Sequence, residues 1–106
     1  MSVLGLMIGG EERAASNGGT FERRNPISSE VATTAAAATT DDAIAAVDAA
    51  AAAFASWSIT SPRERRAILS KAADVLQAKA NDFVAAMRAE IGATAGWAMF
   101  NVGLAS

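Results

Sequence analysis

Few residues in this 106-residue chain could do chemistry. It holds no cysteine and no histidine, which removes thiol nucleophiles, imidazole bases, disulfides and the usual zinc ligand sets from these residues. Acid–base work would then fall to a perturbed carboxylate pair. Two adjacent pairs exist, Glu11-Glu12 and Asp41-Asp42. The first reads as a solvated turn and the second as the start of a helix, so neither is taken as catalytic. Gly9-Gly10 and Gly18-Gly19 lack the G-x-G-x-x-G spacing of a phosphate loop, and neither pair opens a predicted helix. The cluster Arg63-Glu64-Arg65-Arg66 could grip an anion, but a solvated first helical turn explains it more simply. No catalytic, cofactor-binding or metal-ligating residue is assigned on these grounds.

Trp97, Phe100 and Asn101 form the remaining candidate. They lie close together at helical spacing near the chain end. One reading is ordinary core packing. The other is an aromatic wall of a ligand pocket, since such pockets are mostly apolar with a few placed polar groups. Spacing alone leaves both open.

The elements that must position these residues fall into two stretches, residues 1–38 and 39–106. The first reads as strands and turns. "LGLMI" is a short apolar run, and "SNGG" at 16–19 is a turn, because Asn and Gly tolerate positive φ. "TFERR" is β-favouring until Pro26 breaks it, "ISSE" is a second turn, and "EVATTAAAA" is the next strand candidate.

From Thr39 the period becomes helical. Thr39 and Asp42 fit a capping box, and two aspartates suit the positive end of the helix dipole. Ile44, Val47, Ala51 and Phe54 fall on one face, which predicts a small-faced helix over 40–57 packed closely against a neighbour. "SPRE" at 61–64 opens the next helix: Ser61 as N-cap, Pro62 in the first position, Glu64 closing the capping box. Ile68, Leu69, Ala72, Val75, Leu76, Phe83, Val84, Met87 and Ile91 continue its period, and Gly92 supplies a stop. The spacing predicts one helix over 62–91, roughly 45 Å long at ~1.5 Å per residue. A third helix starts near Thr94 and carries Trp97 and Phe100 toward the chain end.

Composition sets further bounds. The chain is 52% hydrophobic but only 6% aromatic, and much of the apolar content is alanine, so its core would be marginal. The net charge of −2 is spread over interspersed acids and bases, which argues against a nucleic-acid partner. The start has no basic n-region, and no uncharged run reaches the ~18 residues of a membrane helix, so no membrane association is expected. The absence of cysteine fits a cytoplasmic protein.

The ordered set of these pieces resembles the N-terminal region of the aldehyde dehydrogenase superfamily. Those enzymes read N-P-x-[ST]-G-E-V, then a T-x-x-D capped helix ending in A-F-x-x-W, then P-x-x-R-x-x-[IL]-L-x-x-[AL]-A-D-x-[IL] and E-x-G. The matches here are Asn25-Pro26, Glu30-Val31, Thr39, Asp42, Phe54, Trp57, Pro62, Arg65, Ile68-Leu69, Ala73-Asp74, Glu90 and Gly92. The resemblance runs over nearly the whole chain from about Leu6. Ser29 departs from it, standing where the family usually has Gly in a turn, and Ile91 takes a place often held by Thr. "TFERRNPISSEVAT" and "GATAGWAMFNV" look like the subgroup that oxidises aromatic aldehydes such as salicylaldehyde, benzaldehyde and vanillin, with the salicylaldehyde enzymes the nearest.

The resemblance implies an α/β parent fold of Rossmann-like type. This chain would be its N-terminal hairpin and strand region followed by three helices, the last truncated. It implies a cysteine thiolate attacking the aldehyde, an oxyanion held by a backbone N–H and an Asn, hydride transfer to NAD or NADP, and a Glu-activated water. All those groups belong to later segments, so the chain itself is expected to bind no cofactor and to be inactive alone. The parent is expected to be a homodimer or homotetramer. The helix after Gly92 helps line the substrate tunnel in that superfamily, which implies that Trp97 and Phe100 face an aromatic aldehyde. The competing expectation is a non-enzymatic helical interaction module that docks through its long helix.

Overall fold

A computed structural model describes residues 2–106. The order of elements is β1 (Val3–Leu4), β2 (Leu6–Ile8), β3 (Glu11–Arg13), β4 (Thr20–Arg24), β5 (Val31–Ala36), then α1 (Thr40–Trp57), α2 (Pro62–Ala78), α3 (Ala80–Ile91) and α4 (Ala95–Ala105). The apolar run at the start is shared between two sheets. β1 pairs in parallel with β5, Val3 opposite Thr34, in a three-stranded sheet of order β1-β5-β4. β2 pairs antiparallel with β3 in a hairpin, Ile8 opposite Glu11. Gly9 and Gly10 form its two-residue loop with φ of +64° and +84°. A loop with both central φ positive matches the twist of the flanking strands and strongly favours glycine. Glu11 and Glu12 are therefore strand residues, not the solvated turn expected. The Gly-Gly pair was the available signal for a hairpin.

The contacts group Met1–Arg23 and Val31–Ile59 into one compact unit, and Arg24–Glu30 and Thr60–Ser106 into a second. A division at residue 38 separates strands from helices, whereas these contacts place α1 with the strands and the β4–β5 turn with α2–α4.

Within the first unit, α1 keeps the bounds its caps predict, but it turns a different side to its neighbour. Ala45, Ala46 and Ala49 are half-buried, while Ile44, Val47 and Phe54 are 54, 67 and 65% exposed. The helix packs closely through alanine, and its large apolar stripe faces outward. Its first turn is held by a buried carboxylate. Asp42 accepts from the Thr39 N–H at 2.9 Å and from the Thr39 hydroxyl at 3.0 Å. It also accepts from the Ser16 N–H at 3.1 Å. These backbone N–H groups, Thr39 first and Ser16 next, favour the anion and hold the Asp42 pKa below its ordinary value against the opposing effect of burial. The capping box was legible in sequence; the tie to the Ser16 turn was not, because it joins residues 26 positions apart.

In the second unit the single long helix expected over 62–91 is two helices of 17 and 12 residues, so the described residues hold four helices where three were expected. The break is Lys79, at φ −97° and ψ 15°. Its N–H is shared between the carbonyls of Val75 and Leu76, both at 3.1 Å, a local tightening toward 3₁₀ geometry. Asn81 and Asp82 come just after Ala80, residues whose side chains compete with helical backbone bonding. α4 packs against both α2 and α3. Ala98, fully buried, and Val102, 4% exposed, form the seam.

Candidate functional site

α4 is set in place by the turn before it. Gly92 ends α3 in the left-handed region, φ +67°. Thr94, extended at ψ 152°, then caps α4, its hydroxyl accepting from the Trp97 N–H at 3.3 Å. The β4–β5 turn closes against this same corner. Asn25 accepts from the N–H groups of Ile27 at 2.8 Å and Ser28 at 3.1 Å, while its amide donates to the Arg88 carbonyl at 3.3 Å. A Cβ on Gly92 would lie 3.0 Å from the Ile27 Cδ1 and 3.3 Å from the Pro26 Cγ. Asn25-Pro26 and Gly92 are thus two halves of one joint that fixes where α4 begins. Ser29 completes the turn at φ +62°. This is the conformation expected where glycine usually stands, here carried by a side chain that disfavours it.

The structure divides the three candidate residues. Trp97 and Phe100, one turn apart, lie on the outward side of α4, 58 and 54% exposed. Their rings stack with centroids 5.6 Å apart and planes 28° apart, within the range of offset aromatic pairs. Ala98 and Val102 take the buried side, so the two rings are not the interior of this unit. Asn101 faces elsewhere. It lines an open cavity of about 300 Å³ with Leu76, Phe83, Met87, Val102 and Ala105. Its amide donates to the Trp97 carbonyl at 2.8 Å.

The glycine-rich G-x-G-x-x-G loop that cradles a dinucleotide is not found among the described residues. The glycine pairs lie in a hairpin loop and a strand-to-strand turn, and neither begins a helix. Helix N-termini attract phosphates, but those of α1 and α2 are already filled by carboxylates of their own chain. Glu64 accepts from the Ser61 hydroxyl at 2.8 Å and its N–H at 3.1 Å, bonds that lower the Glu64 pKa. Asp42 does the same for α1. Among the described residues, no group of three or more His, Cys, Asp or Glu could hold a metal ion. No helix there is long and apolar enough to cross a membrane.

Comparison with known proteins adds what the geometry alone does not give. The pattern of the aldehyde dehydrogenase family matches residues 13–106. Vanillin dehydrogenase of Pseudomonas fluorescens is 50% identical over 101 residues, which are 95% of this chain and 21% of that protein. Salicylaldehyde dehydrogenase of Pseudomonas putida is 49% identical over 50 residues, 47% of this chain and 10% of that protein. The crystal structure of a salicylaldehyde dehydrogenase from Pseudomonas putida G7, complexed with salicylaldehyde, superposes with a TM-score of 0.91 at 46% identity. That match covers 93% of this chain and 20% of the other. The chain spans about a fifth of the length of the vanillin dehydrogenase and of this solved structure.

Proposed function

The chain belongs to the aldehyde dehydrogenase family, and from that premise we propose that the whole protein oxidises an aromatic aldehyde to its carboxylic acid with NAD or NADP as hydride acceptor. One aldehyde, one water and one oxidised cofactor give one acid, one reduced cofactor and a proton. The nucleophile and the cofactor cradle come from outside these residues, which hold no cysteine and no histidine. The chain's contribution is part of the aldehyde pocket. The observation that carries this is the stacked Trp97–Phe100 pair, held outward on a helix whose opposite side is sealed. Half-exposed aromatic rings fixed on a rigid element suit recognition of a flat apolar substrate. Relatives that act on vanillin and salicylaldehyde support an aromatic substrate.

On this reading the isolated 106 residues neither bind the cofactor nor turn over aldehyde. The whole protein works in the cytoplasm as a homodimer or homotetramer. The test is Trp97→Ala in the whole protein, with kcat/KM for salicylaldehyde measured against that for an aliphatic aldehyde of similar size. A selective loss on the aromatic substrate supports the pocket role; an unchanged ratio refutes it.

A further inference from the structure

We infer that Phe100 is a positioning residue that fixes the plane of the Trp97 indole, so that aromatic selectivity depends on Phe100 acting through Trp97. The inference rests on the reading that Trp97 faces the aldehyde. Three separate restraints converge on Trp97. Its N–H bonds to the Thr94 hydroxyl at 3.3 Å. Its carbonyl accepts from the Asn101 amide at 2.8 Å. Its ring stacks on Phe100 at 5.6 Å. The first two hold the backbone and leave the indole free to turn about its side-chain torsions. The third acts on the ring itself.

An indole 58% exposed would otherwise sample several rotamers. Ordering such a side chain when ligand binds weakens association, and a ring already held in place avoids that loss. Phe100 can give this support because residues three apart on a helix are neighbours. The Asn101 bond steadies the helical turn that carries both residues. Stacking supports substrate and transition state alike, so losing it raises KM more than it lowers kcat.

The experiment is a double-mutant cycle in the whole protein with Trp97→Ala, Phe100→Leu, their combination, and Phe100→Tyr as the variant that keeps a ring. The readout is the ratio of kcat/KM for salicylaldehyde to that for an aliphatic aldehyde. Phe100→Leu is expected to lower this ratio roughly three- to tenfold, the range that a stacked aromatic pair supports. The change lies mainly in KM, Phe100→Tyr restores it, and the double variant falls no further than Trp97→Ala alone. A ratio unmoved by Phe100→Leu while Trp97→Ala lowers it overturns this inference and leaves the pocket reading standing. Additive losses also overturn it, because Phe100 would then touch substrate on its own account. A ratio unmoved by Trp97→Ala overturns both.

Discussion

The side-chain amide of Asn25 donates to the main-chain carbonyl of Arg88, 63 residues later and 3.3 Å away. The same Asn25 organises its own turn through the N–H groups of Ile27 and Ser28. The turn in turn lays Ile27 and Pro26 over Gly92, the residue that ends α3 and frees the chain to begin α4. The position of the aromatic pair is therefore set at a joint whose Asn25-Pro26 half is remote from it in sequence.

Changes at this joint are expected to cost stability. Asn25→Ala removes three hydrogen bonds and leaves two turn N–H groups without their acceptor, a loss of about 1–3 kcal/mol. Gly92→Ala combines a positive φ with a Cβ pressed against Ile27, at about 1–2 kcal/mol or more. Urea unfolding of the whole protein checks both. Midpoints equal to the parent's would contradict the joint.

Ser29→Gly should act in the opposite direction. Ser29 holds φ +62°, a region that costs a residue with a Cβ about 1–2 kcal/mol. Glycine relieves that strain and gives part of it back as unfolded-chain entropy. The expected outcome is a stabilisation of about 0.5–1 kcal/mol, read as a higher melting temperature.

Acid should loosen the starts of α1 and α2. Asp42 and Glu64 have folded-state pKa values below their ordinary ones because Thr39, Ser16 and Ser61 donate to the anions. Their stabilisation is fully present above the unfolded carboxylate pKa of about 4. It is lost as pH falls through the lower folded values. Denaturant midpoints taken between neutral and strongly acidic pH should fall on acidification, and Asp42→Asn should flatten part of that fall. An identical pH slope in the variant would contradict the assignment.

Made alone, the 106 residues should associate. Ile44, Val47 and Phe54 on α1, and Ile68 on α2 at 53% exposure, present apolar surface that folded monomers rarely leave open in contiguous patches. Light scattering should detect oligomers that Phe54→Glu reduces. A monomer with a sharp two-state melt would count against this.

What could be read from sequence was what local chemistry encodes. Thr39 with Asp42 and Ser61-Pro62 with Glu64 marked two helix starts, and Gly92 marked an end, because caps depend on residues within a turn of one another. β-favouring residues and the flanking turn signals placed β4 and β5. The break at Lys79 was hidden, since no Pro or Gly interrupts the apolar period there and the shared bond of its N–H exists only in three dimensions. The outward stripe of α1 was hidden for a related reason. Period finds an apolar face, but Ala45, Ala46 and Ala49 won the packing by allowing close approach. At the candidate site, spacing put Trp97, Phe100 and Asn101 on one helix and left core packing and a pocket wall both open. Their division into an outward ring pair and a cavity-lining amide required the seam of Ala98 and Val102. The partnership of Asn25 with Gly92 joins motifs far apart in the chain, and only the fold brings them together.

This chain is proposed to serve an enzyme that prefers aromatic aldehydes. Steady-state kinetics of the whole protein with salicylaldehyde, vanillin, benzaldehyde and a short aliphatic aldehyde, each with NAD and with NADP, test it most directly. Carboxylic acid and reduced cofactor are expected in equal amounts, with kcat/KM for the aromatic aldehydes clearly above that for the aliphatic one. Equal or better turnover of the aliphatic aldehyde, or no cofactor reduction with any of them, would contradict it.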